Sequence, residues 1–317
     1  MYNNEYLEFF NKFIQPHVKE FEQIRWNYLT WYFFIYTVAI VFIVGIFCKL
    51  CIINNLDNIS QCGLFLFCIG LIVGGAHPIA CMMITRYRAV VKERFLKILL
   101  EKLYGLKYFN PNPTIISNML ASCGANETEH HIDAEELNSL SILRPHGSIS
   151  YDDYIKGKYK DLNIEIQELS LYKCIKNYNT CLFHGLIMSV AVKKEFKNKT
   201  IFYADKELQN NADIKGLEPV YTEDVEFNKM FNVYTNDQIE ARYIFSPIFI
   251  EKMKSVMVKN PQYKINGEFY NKKLYIVLSS DKNWFEIPFF KSAENISVFY
   301  QPVNDICNLL LIADNVL

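Results

Sequence analysis

At 317 residues the chain is long enough for one or two domains of ordinary size. Its apolar content of 51% averages two unlike parts, an almost wholly apolar stretch over 31–84 and a remainder polar enough for a soluble protein. A formal net charge of −1 excludes the basic field of a general nucleic-acid binder, and nine scattered cysteines, an odd number, exclude a paired disulfide framework.

Residues 4–28 predict an amphipathic helix, because Leu7, Phe10, Phe13, Ile14, Val18, Phe21 and Ile24 recur at spacings of three and four. It leads into a first apolar span, 31–53, and a second follows at 63–84. As helix, each reaches about 33 Å, enough to cross a hydrocarbon core of about 30 Å. Four cysteines fall inside these spans and read as small hydrophobes. Lys12, Lys19 and Arg25 precede the first span, Arg86, Arg88, Lys92, Arg94 and Lys97 follow the second, and the loop between carries Asp57 and no cation. That asymmetry predicts an integral membrane hairpin with both termini in the cytoplasm and the loop, with Cys62, outside. Trp26 and Trp31, with Tyr28 and Tyr32, form an aromatic belt at the entry. Arg86, Arg88, Lys92 and Arg94 belong to the same membrane interface. They either contact anionic lipid headgroups or set topology at the head of a stalk helix that Gly105 stops. His77-Pro78 is the polar feature of the second span. It reads as a proton or ligand site or as a Pro kink with a histidine at its depth; the kink is favoured, since neither span holds an acidic partner.

Residues 85–150 are the basic stalk and a connector, with a short helix starting at Asp133-Ala-Glu-Glu136. The adjacent His130 and His131 lack the spacing and partners of a metal site, and no metal or other cofactor is expected. Residues 151–317 predict a soluble α+β domain. Leu162, Ile164 and Ile166 alternate with polar residues, as do Leu169 and Leu171, and the change of phase between them predicts a bulge or turn. Two strands are expected at 181–192 and 199–205, with the lysine-rich 193–199 as a hairpin tip; Lys193 and Lys194 there are candidate partner or lipid contacts. A strand or edge segment is expected over 225–237, a helix near Thr235, a second helix from Ser246-Pro247 to about Val258, a hairpin over 263–279 turning at Asn271, and a closing helix over 296–317.

The stretch 227–247 carries Phe231, Val233-Tyr234, Asp237, Glu240-Ala241-Arg242-Tyr243 and Pro247. In this it resembles the bacterial two-span membrane proteins grouped as domain of unknown function 3137, and 155–171 and 183–205 look like that family's first hairpins. The resemblance covers most of the chain, with a polar insert at 117–131 as a departure. It implies the two-span architecture and a bacterial inner membrane, and it brings no activity. Arg242 is the candidate ligand contact of this stretch, to an anion or phosphate; the favoured structural alternative is an ion pair or a capping contact with a nearby carboxylate such as Asp237 or Glu240.

No nucleophile elbow, zinc-protease, phosphate-loop or dinucleotide-binding motif occurs, and no catalytic residue can be named. The expected function is a membrane-anchored cytoplasmic binding or scaffold module for an unidentified protein partner, a peptide or lipid headgroups. The alternatives are an oligomer that shapes or permeabilises the membrane through its hairpin, and an enzyme with an unrecognised site.

Overall fold

The computed structural model describes residues 4–54, 63, 66, 67, 70, 72–109, 131–143, 145–175, 178–204, 214–259, 261 and 263–316. They form two compact units, Met1–Phe95 with Glu286–Gln301, and Leu96–Phe285 with Pro302–Leu317.

The helical unit begins with α1 (Asn4–Phe9), passes through a π turn at Phe10–Ile14 and a 3-10 turn at Gln15–His17, and continues as α2 (Val18–Asn54). The sequence predicts one unbroken helix over 4–28; the break is caused by Pro16. A proline inside a helix has no N–H to give and its ring collides with the carbonyl four residues back, so the winding changes around it. The apolar face survives the break. Tyr6, Phe10, Ile14, Val18 and Phe21 are all buried, and Phe299 packs on Phe10 at 6.3 Å, Phe21 at 5.5 Å and Phe95 at 5.0 Å. Each such buried aromatic stabilises the unit by roughly 2–3 kcal/mol.

The stretch Tyr6–Lys49 is the one helix among the described residues that is long and apolar enough to cross a membrane, and none of its apolar window is buried. The expected outer loop with Cys62 and much of the first half of the second span lie outside the described residues. From Ile72–Ala76 the chain makes a π turn and then runs as α3 (His77–Tyr104), with Pro78 in its first turn. His77 Nδ1 lies 2.6 Å from Tyr36 Oη, and its Nε2 lies 3.5 Å from Cys81 Sγ. Gly105 follows α3 with φ +65°, a conformation that suits glycine and ends the helix where the sequence predicts.

The second unit is built on an antiparallel sheet of β1 (Leu106–Phe109), β2 (Ser148–Tyr159), β3 (Leu162–Ile175), β4 (Tyr178–Tyr203), β5 (Glu218–Val220), β6 (Asn232–Thr235) and β7 (Lys264–Ser279). The order is β1-β2-β3-β4-β6-β5, and β7 pairs with β4. Around it lie α4 (Ala134–Ser139), α5 (Val225–Met230), α6 (Gln238–Ile244), α7 (Pro247–Lys259) and α8 (Ser297–Val316). This is the mixed α+β class with a C-terminal helix that the sequence predicts. The β2–β3 hairpin turns at Lys160-Asp161, both at positive φ (45° and 69°), the turn geometry whose twist matches the flanking strands.

Four expectations change. The lysine-rich 193–199 is not a hairpin tip, and 263–279 is not a hairpin. The first lies inside the single long strand β4 and the second is the single strand β7, because the two strands satisfy each other along their length, from Gly185↔Ser279 to Phe202↔Gly267. The residues that looked like turns are absorbed as register shifts between Ala191 and Phe196 and between Phe196 and Thr200, with Asn271 at φ 56°. The bulge expected within 166–169 sits on the partner strand instead, between Tyr151 and Tyr154 of β2. Buried Gln167 holds it, donating from Nε2 to the carbonyls of Asp152 (3.1 Å) and Asp153 (3.3 Å). Finally, 225–230 is helix rather than strand, because Asp224 accepts from Phe227 N at 2.8 Å and caps it.

Candidate functional site

Four pieces of chain meet at a surface cleft of about 660 Å³: the end of β5, the cap of α5, and the facing parts of α6 and α7. Asp224 is fixed at the first of these. Its carboxyl is held below the usual carboxylate range, chiefly by the Phe227 N–H and next by Lys254. Lys254 Nζ lies 2.9 Å from Asp224 and 3.2 Å from Glu226. The preceding loop is stiffened by Thr222 Oγ1, which lies 2.9 Å from Asn228 Oδ1. Helix α6 starts at Asp237, whose Oδ1 accepts from the N–H of Ile239 (2.9 Å) and Glu240 (3.0 Å) while Oδ2 accepts from Asn198 Nδ2 (3.0 Å). Asp237→Ala should therefore lower the thermal midpoint by the loss of a cap, about 1 kcal/mol. Glu223→Ala on the exposed rim should leave the midpoint unchanged, and equal effects would refute the capping role. Helix α7 begins as expected, with Ser246 Oγ accepting from Phe249 N at 3.4 Å and Pro247 in the first helical position.

The floor of the cleft is apolar and firmly backed. Phe245 and Ile250 line it, and both are buried. Phe245 packs against Phe227 at 5.6 Å, Phe249 at 5.4 Å and Phe202 at 6.2 Å. Arg242 stands on the wall with no ion pair or hydrogen bond among the described residues. The ion pair favoured by the sequence does not form: Asp237 is engaged by the helix N–H groups and Asn198, and Glu240 Oε2 accepts from Asn198 N at 3.1 Å. Glu223, Asp224 and Glu251 line the same cleft. Lys254 lies 3.8 Å from Glu251 as well as close to Asp224, so it offsets much of their charge. The cleft is thus of mixed sign. Its surroundings expose large apolar side chains, Tyr221 at 80%, Tyr243 and Ile248.

The other residues singled out by sequence lie elsewhere. Lys193 and Lys194 fall within β4, and their side chains lie outside the described residues. Trp26, Trp31, Arg86, Arg88, Lys92 and Arg94 belong to the helical unit, not to the unit that holds Arg242. Trp26, Trp31 and Arg86 are exposed, Arg88 lies 3.6 Å from Glu286, and Arg94 pairs with Glu20. Lys92 is buried and donates to Glu286 at 2.8 Å. Among the described residues no three His, Cys, Asp or Glu side chains converge to hold a metal ion; His131 stacks on Tyr151 at 4.2 Å. Sequence reasoning missed Tyr221, Glu223 and Glu251. The available signal was the apolar Ile239, Tyr243 and Ile248 on short helices whose core positions were already filled by Ala241, Ile244, Phe249 and Ile250.

A second polar site lies within the sheet. Lys199 lines a recess of about 350 Å³ and donates to Ser139 O (2.8 Å) and Ser141 Oγ (2.9 Å). It approaches Glu268 at 3.8 Å, whose fully buried carboxylate accepts from Ile142 N at 2.8 Å. Burial pushes the Glu268 carboxyl up to about 7.

Residues 181–317 match the model of a family described as protein of unknown function, DUF3137. The match supports that family. It contains every residue that lines the cleft. No curated protein matches the chain. A solved structure, the crystal structure of the mycobacterial trehalose monomycolate transport factor A, TtfA, is similar over 66% of this chain and 88% of its own, at 8% identity and a TM-score of 0.32. That similarity is too weak to define a common fold.

Proposed function

We propose that the protein is a membrane-anchored binding module whose cleft at Arg242 takes a polypeptide segment carrying both signs of charge. The observation that carries this reading is an arginine without a partner among the described residues, held on a stiff, apolar-floored cleft. A guanidinium is a planar fork of donors suited to a carboxylate, and a concave site with an apolar floor and charged groups on its walls suits a ligand that carries charge itself. The three lining carboxylates make a free anion or a phosphate headgroup a poor fit and favour a peptide whose basic side chain meets Glu223 while its carboxylate meets Arg242. The exposed Tyr221, Tyr243 and Ile248 supply apolar contact around it.

The anchor is the apolar stretch of Tyr6–Lys49, which buries none of its apolar window. Paired with the second span, it forms the hairpin in a bacterial inner membrane, with both termini on the cytoplasmic side.

The test places p-benzoylphenylalanine at position 221 of the full-length chain in its native membrane. Irradiation should give a discrete protein adduct. Arg242→Ala should weaken that adduct through loss of a charge-assisted contact of about 2 kcal/mol, with no change in thermal midpoint because the side chain is exposed and unpaired. An adduct of equal yield in the Arg242→Ala chain, or none in either, would overturn the assignment.

A further inference from the structure

The chain leaves the sheet unit after Phe285 and contributes Glu286–Gln301 to the helical unit. Three contacts fix where this segment lies. Glu286 accepts from Lys92 Nζ at 2.8 Å and lies 3.6 Å from Arg88. Ala293 N donates to Glu22 Oε2 at 2.7 Å, and Glu22 is itself held by Arg25 Nε at 2.9 Å. Between these two tethers, Phe289 is buried, packed on Tyr87 at 5.0 Å and on Tyr32 at 5.9 Å.

Phe290 faces the other way. It is 61% exposed, and its ring lies 5.7 Å from Tyr32. Tyr32 is the second residue of the apolar run 31–53. At 1.5 Å of rise per residue, this contact puts Phe290 at the level where the apolar run begins. The residues of α2 at that level, Trp31, Phe33 and Phe34, are all exposed, and the Phe33 ring lies 5.5 Å from Tyr32; Trp26, also exposed, lies about 9 Å before it along the helix. A single exposed phenylalanine needs no explanation, but one joined through Tyr32 to the exposed Phe33 at the start of a hydrophobic helix, where Trp31 and Phe34 are exposed as well, adds to the unburied apolar surface at that level. Exposed cations flank it. Lys291 follows Phe290 directly, and Arg86 and Arg88 flank Tyr87, the residue beneath Phe289. Aromatics at the apolar boundary with cations beside them suit the zone between lipid headgroups and acyl chains.

We infer that the segment 287–291 is a second membrane contact of this protein, with Phe290 seated in the headgroup–acyl boundary and Lys291 among the headgroups. The inference rests on the reading of α2 as a membrane anchor. It adds that a stretch from between the sheet and the C-terminal helix is held at the bilayer surface by the tethers at Glu286 and Ala293.

The full-length protein would be reconstituted into phosphatidylethanolamine–phosphatidylglycerol vesicles with p-benzoylphenylalanine replacing one residue at a time. The positions are Phe290, Phe42 on α2 (68% exposed) and Ile239 on α6 (83% exposed). After irradiation, covalent lipid adducts would be read by mass spectrometry. The expected result is an adduct at 290 within a few-fold of that at 42, and none at 239. An adduct at 42 without one at 290 overturns the inference and leaves the anchor standing. No adduct at either 42 or 290 overturns the anchor and the inference together. An adduct at 239 equal to that at 290 also overturns it, since the contact would then not belong to this segment.

Discussion

Phe202→Ala is expected to destabilise the sheet unit by about 4 kcal/mol, the scale of a phenylalanine deleted from a packed core. Phe202 is fully buried and is the hub between sheet and helices. Its ring lies 5.7 Å from Phe231, 6.2 Å from both Phe245 and Phe269, and 6.4 Å from Phe249. Gly267 of β7 makes room for it: a Cβ there would fall 2.3 Å from Phe202 Cζ. Four rings would lose their common neighbour, and a cavity that rigid strands and short capped helices cannot close would remain. Because Phe245 is also the cleft floor, the damage should reach the site. The adduct from position 221 should weaken in Phe202→Ala along with stability, whereas Arg242→Ala should weaken it at full stability. Phe202→Leu keeps more of the volume and should cost less. Thermal or urea unfolding of the full-length protein in mild detergent reads all three. An unchanged midpoint for Phe202→Ala would refute the role assigned to this cluster.

The second large effect is a pH dependence carried by Glu268. Its carboxyl has an ordinary value of 4.5 and is raised to about 7 in the folded chain, mainly by burial. The Ile142 and Ser141 N–H groups and the Lys199 ammonium act against that rise without cancelling it. Tyr203 and Tyr275 face the same carboxylate, and burial raises both phenols well above their usual range. A carboxyl whose pKa is raised by folding holds its proton more tightly in the folded state. Its stabilising contribution is therefore complete below about 4.5, declines as pH rises towards 7, and is gone above that. The shift corresponds to about 3 kcal/mol. Glu268→Gln removes this dependence. Relative to the natural chain, the variant should gain about 3 kcal/mol between pH 4.5 and pH 8. The comparison between the two pH values is the informative reading, since the new amide also alters contacts near Lys199. Parallel stability profiles for the two chains would refute the assignment.

The elements that could be read from the sequence were those specified by neighbours along the chain. Apolar residues at helical spacing gave the buried face of Tyr6, Phe10, Ile14 and Phe21. Gly105 stopped α3, Ser246-Pro247 started α7, and Asp133 capped α4, because helix ends are satisfied by the residues adjacent to them. The alternation around Leu162 gave β3. Where two distant segments had to meet, local pattern misled. The stretches 193–199 and 271–272 look like turns in isolation, and each is held extended only because the other strand lies beside it. Asp224 and Asp237 were sequence-visible polar residues, but their capping geometry decided that 225–230 is helix and that Asp237 is not available to Arg242.

The candidate site followed the same division. The sequence by itself determined that an apolar run long enough to span a bilayer precedes an α+β domain, and it singled out Arg242. That much is written in composition and short-range spacing. Only the tertiary structure decided that Arg242 shares a cleft with Tyr221, Glu223 and Glu251, that Glu268 is buried beneath Lys199, and that Phe290 lies against Tyr32 at the start of the apolar helix. The reason is physical. Burial and charge pairing depend on which surfaces the packed chain brings together, and residues 32 and 290 become neighbours only when Glu286 and Ala293 are tethered to the helices.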